Sequence, residues 1–140
     1  MSTVLWANRL SDGVVVSDES DKYALHKHLP QLDRIAARAG VPALSSWCDT
    51  TDLRFNVEDL PLPDGMTSTN EWMARDGVWI NADTAVKGLA AVLEAVETTR
   101  PRFGLLRNDC ETVISELRES LEFAREAAAN AAKFNFAVVM

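Results

Sequence analysis

A chain of 140 residues, 47% hydrophobic and 25% charged, is long enough to bury one core, and its length favours a single domain over residues 1–140. The formal net charge of −7 disfavours general attraction to nucleic acid or anionic lipid, so the expected partners are neutral or basic proteins. No apolar run approaches the roughly 18–20 residues that a membrane-spanning helix needs. The stretch "MSTVLWANRL" lacks a basic region followed by an apolar core, so a cytoplasmic protein without membrane contact is expected.

The chain begins with "TVLWANRL" and "GVVVSD", two short β-rich runs separated at Asp12-Gly13, a strong hairpin signal. Residues 18–39 then place Leu25, Leu29, Leu32, Ile35 or Ala36, and Ala39 at steps of three and four, which predicts an amphipathic helix stopped by Gly40. Pro30 interrupts it, so the helix is either kinked or two helices meet there. Residues 41–77 hold three of the five prolines and little periodicity, and form the predicted irregular segment. Within it a short helix is expected near 68–75, where Ser68 and Glu71 have capping-box spacing.

"GVWI" reads as a short strand, and "NADTAVKGLAAVLEAVETTRP" as a helix begun by Asn81 and ended by Pro101, with Val86, Leu89, Val92, Leu93 and Val96 on one side. After "RFGLL", Asn108 or Asp109 opens the longest helix. Its Cys110, Ile114, Leu117, Leu121, Ala124, Ala128 and Ala131 form a heptad seam, facing either the helix at 82–99 or, as a dimer seam over Ile114, Leu117, Leu121, Ala124 and Ala128, a second copy. "KFNFAVVM" reads as a strand beside the N-terminal hairpin. The predicted fold class is α+β, a small antiparallel sheet of hairpin plus C-terminal strand packed on three or four helices, with the helices on one face.

Chemistry-bearing motifs are sparse. His26 and His28, the two histidines, lie about 200° apart on a helix and have no further ligands at metal-site spacing. Cys48 and Cys110 stand far apart and lie in no nucleophile signature. There is no GxSxG elbow and no glycine-rich phosphate loop. No catalytic residue, metal ligand or cofactor is therefore assigned. The remaining candidates are the carboxylates of the irregular segment, since paired carboxylates can hold Mg²⁺ or divide acid and base roles.

From Asp49 to Asp76, seven acidic residues face only Arg54 and Arg75, a regional charge of −5. Trp47 and Trp72 flank Asp49, Asp52, Glu58 and Asp59, a mixture of aromatic anchors and negative rim that suits partner binding. "SSWCDTTDL" after a first helix and "GVWINADTAVKGLAAVLEAVE" before the second resemble small bacterial proteins, some of which act as accessory or toxin-immunity proteins. Size, acidity and the lack of catalytic motifs make the expected function a non-catalytic interaction or immunity-type module that docks a basic or neutral partner through this segment. The alternatives are a small metal-assisted hydrolase built on Asp49 and Asp52, and a structural homodimer.

Overall fold

The computed structural model describes residues 2–140. Strands β1 (Val4–Ser11) and β2 (Val14–Ser17) form the expected antiparallel hairpin. Asp12 and Gly13 take φ of 52° and 75°, the left-handed pair that a two-residue turn requires to match the twist of its strands. Strand β3 (Cys48–Asp49), strand β4 (Ile80–Asn81) and strand β5 (Lys133–Val139) complete the sheet. β5 lies beside β1 in antiparallel register, from Val4 opposite Val139 to Leu10 opposite Lys133. Its other edge takes β4 antiparallel at Phe134 and Lys133, and β3 parallel at Phe136 and Ala137. The fold is α+β, with one short parallel pairing in an otherwise antiparallel sheet.

Pro30 marks a junction of two helices, α1 (Tyr23–Lys27) and α2 (Leu29–Arg38). It sits in the first turn of α2, where its missing N–H has no intrahelical partner to lose. The segment expected to be irregular is more ordered than its composition suggests. It holds a short 3-10 helix (Leu44–Trp47), the unforeseen α3 (Thr51–Val57), and α4 (Thr69–Asp76) at the predicted place. Ser68 Oγ accepts from Glu71 N at 3.2 Å, while the Glu71 carboxylate reaches back to Thr67 N at 2.9 Å, one residue beyond an ordinary capping box.

Helices α5 (Ala82–Thr99) and α6 (Cys110–Ala129) run antiparallel: Ala82 N donates to Ala132 O, Arg118 pairs with Glu97, and Arg100 pairs with Glu111. Ile114, Leu117, Leu121 and Ala124 are buried within this chain's own core with Leu89, Val92, Leu93 and Val96 of α5, and Ala128 packs at its margin. The proposed dimer seam is thus used inside the domain, and Ala131 lies beyond the helix end.

Leu5 and Ala7 of β1 join Phe134, Phe136 and Val138 of β5 in the main core beneath α1, α2, α5 and α6. Trp47 stacks on Phe136 with centroids 6.1 Å apart and meets Phe134 edge-on. Gly88 makes room for it, since a Cβ there would stand 3.0 Å from the indole ring. The opposite face is covered too: Asn8, Asn135 and Ala137 are buried there with Met73 of α4. Helices therefore flank both faces, where only one was expected, because β5 alternates two sets of buried side chains.

Replacing Phe136 by Ala should remove the contact surface of Trp47 and Phe134 together and cost about 3–5 kcal/mol, read as a lower urea midpoint with an unchanged slope.

Candidate functional site

The residues expected to bind a partner separate into two groups. Trp47 is 1% exposed and packs the core, so it is not a surface anchor. Asp49 is also buried; its oxygens accept from Thr51 N and Val78 N, each at 2.9 Å, and tie two backbone segments together. Both are corrected from docking residues to structural ones. Asp52 accepts from Thr69 Oγ1 at 3.0 Å and Asn56 Nδ2 at 3.1 Å, linking α3 to α4 while keeping part of its surface. Trp72 is half-buried with the Arg54 guanidinium 5.6 Å above its ring. Glu58 and Asp59 are exposed and, among the described residues, have no ion-pair partner. The carboxylates do not converge on a histidine, and the described residues hold no metal-suited group of three His, Cys, Asp or Glu.

The imidazole of His28 is committed elsewhere. Its Nε2 lies 2.8 Å from Asp109 Oδ2, at the start of α6, and its ring meets Phe103 edge-on at 5.4 Å. Lys27 and Arg107 add longer contacts of 3.5 and 3.4 Å to the same carboxylate. The His28 hydrogen bond holds the Asp109 carboxyl below the usual carboxylate range. Neither thiol is poised for nucleophilic attack. Burial first, then Asp33 and Asp49, push Cys48 up to about 12, and burial raises Cys110.

Two surface features emerge instead. The first is a cleft of about 90 Å³ between the second face of the sheet and α4, lined by Trp6, Asn8, Glu19, Asp52, Asn70 and Met73 among others. The second is the loop between α5 and α6. Phe103 anchors it in the core, and Asn108 Oδ1 closes its base by accepting from Phe103 N at 3.0 Å and Cys110 N at 3.1 Å. Arg102 donates to Gly104 O at 2.9 Å and Leu105 O at 2.8 Å, while Gln31 Nε2 holds Arg102 O at 2.9 Å.

Gly104 has φ of 102°, and a Cβ there would come within 2.4 Å of Arg107 O, so the turn requires glycine. At the tip of this braced loop Leu105 is 94% and Leu106 102% exposed. Arg100, Arg102 and Arg107 flank them.

No known protein family, curated protein or solved structure matches the chain. The site therefore rests on its own chemistry.

Sequence reasoning passed over the loop, reading "RFGLL" only as a connection. The signal available was two leucines and a glycine between arginines, bounded by Pro101 and Asn108. Such a short run belongs to no helix or strand phase that would bury it.

Asp109 provides a pH test. Its folded pKa is depressed, so the unfolded state binds more protons in the acid range and stability rises with pH there. The stability gap between wild type and Asp109→Asn should be full at neutral pH and shrink as pH falls through the acid range, measured by urea titration at a series of pH values. Both thiols should react with an aromatic disulfide reagent at pH 8 far more slowly in native than in urea-unfolded protein, followed by absorbance.

Proposed function

We propose that the chain is a non-catalytic protein-interaction module of the accessory or toxin-immunity style. The observation that carries this reading is the braced loop holding Leu105 and Leu106 in solvent. Leaving a leucine side chain in water forgoes about 1.5–3 kcal/mol relative to burying it. A structure that fixes two of them outward with five internal hydrogen bonds has a surface suited to docking. The fitting partner presents an apolar pocket with an acidic rim, where the leucines bury and the arginines at 100, 102 and 107 meet carboxylates.

The acidic side supports a second contact with a basic surface. Glu58, Asp59 and Asp64 are exposed and, among the described residues, unpaired. Asp49 and Trp47, being buried, take no part.

The double substitution Leu105→Ser with Leu106→Ser should leave the circular dichroism spectrum and melting temperature unchanged, because neither side chain touches the core. A partner captured by the immobilised wild type, then purified and titrated by calorimetry, should bind the variant more weakly by about 100-fold, the worth of one to two buried leucines. Equal affinity for both proteins would remove the loop from the reading.

A further inference from the structure

We infer that the outer edge of β2 pairs with β2 of a second copy, joining two sheets into one across a twofold axis. β2 is the end strand on the hairpin side of the sheet, while β3 and β4, at the far side, are two residues long each. The two-residue turn sets which groups of β2 look outward. Ser11 and Val14 flank the turn and exchange bonds, Arg9 and Val16 follow as the next bonded pair, and Asp18 N donates to Ala7 O at 3.0 Å in the same phase. Val15 and Ser17 therefore aim their N–H and C=O groups away from β1, where they meet no partner among the described residues.

An open strand edge is a template for another extended backbone, and sheets commonly blunt such edges with lysine, proline or a bulge. β2 carries none of these. Val14 is 60% and Val16 41% exposed, on the sheet face just past the end of α6, where they border an open shelf of about 440 Å³ with Arg9, Ser11 and Asn130. Val14-Val15-Val16 reads the same in both directions, and that selects a second copy as the occupant. Antiparallel pairing centred on Val15 sets Val15 opposite its own counterpart as an exchanging pair. Each Val14 then falls opposite a Val16 in the closer non-bonded position, where β-branched side chains touch. Gly13 faces Ser17 at either end, so nothing bulky stands in the way. Asp18, brought opposite Asp12 of the second copy, is already paired with Lys22.

The pairing goes beyond the docking reading above and shares no residue with the Leu105–Leu106 loop. An edge of four residues buries less than the roughly 1,200 Å² of a stable complex, so the dimer is a weak one that follows concentration. Each copy carries a net charge of −7, so salt should strengthen it. In sedimentation equilibrium of the whole chain from about 10 µM to about 1 mM, the mean mass should climb from 15.4 kDa toward twice that value, and climb further at high salt. In ¹H–¹⁵N spectra the Val15 and Ser17 amides should shift and gain protection from hydrogen exchange as concentration rises. The Val14 and Val16 amides, bonded to β1 in the single copy, should be protected throughout.

Val14→Lys with Val16→Lys should hold the chain at the mass of one copy, because pairing would bring four ammonium groups together. The two added positive charges take each copy from −7 to −5, so the loss would not come from greater overall repulsion. Val15→Pro is the second variant. It removes an outward N–H that no bond inside the fold uses, and proline is tolerated at such edge positions. Leu105→Ser with Leu106→Ser should dimerise as the wild type does. A single-copy mass at every concentration, which would leave the edge to a foreign strand, would overturn the pairing. So would a dimer untouched by either β2 variant, a dimer lost with the loop leucines, or protection absent from Val15 and Ser17.

Discussion

Strand β5 has no solvent-facing side, and the rest of the structure is arranged around that constraint. β1, β3 and β4 all pair with it. Phe134, Phe136 and Val138 point into the main core, while Asn135 and Ala137 are equally buried on the other face. An amide buried without partners costs roughly 1–3 kcal/mol, so Asn135 must be satisfied inside the protein. Its bonds to the Val78 carbonyl and the Asn8 side chain draw the link after α4 against the sheet. Asp49 reinforces the same link from β3 through Val78 N. The second face is thus closed by polar ties around one thioether, Met73, whereas the first is closed by aromatic packing.

On the first face, the helices are joined to the strands by buried charge as well as by apolar contact. Lys22 is fully buried, pairs with Asp18, and donates to Ser20 O at 3.0 Å, with Glu119 of α6 3.4 Å away. Glu116, one turn earlier on α6, accepts from Leu25 N at 2.9 Å at the start of α1, where unpaired N–H groups favour a carboxylate. The His28–Asp109 bond fixes the other end of α1 to the first residue before α6. Because these ties hold the helices, the loop above them can be rigid without being covered.

The hairpin, the capped α4, the long α5 and α6, and the strand character of β5 were legible because each rests on a local pattern. Asp12-Gly13, Ser68 with Glu71, and the three-four spacing from Ile114 to Ala124 are read within a few residues of themselves. Helix α3 was not legible: Thr51, Asp52 and Asn56 are weak helix formers, and Asp52 is joined to Thr69, seventeen positions away. The same limit hid the burial of Trp47 and Asp49. Polar and aromatic residues in a non-periodic stretch look alike whether they bind a partner or their own backbone, and only the tertiary partners, Phe136 for one and Val78 N for the other, distinguish them.

The position of β5 also bears on how the domain comes into being. Residues 133–139 are synthesised after every strand they join, so on the ribosome β1 waits with one edge open until its long-range partner emerges. The pairing of Val4 with Val139 closes nearly the whole length of the chain, and such distant contacts slow folding relative to local ones. The hairpin and the α5–α6 pair can form early, but neither face of the sheet has its central ridge until the last strand arrives. A nascent chain stalled before residue 133 would expose the apolar sides of α5 and α6 together with an unpaired β1, a combination that attracts chaperones or other nascent chains.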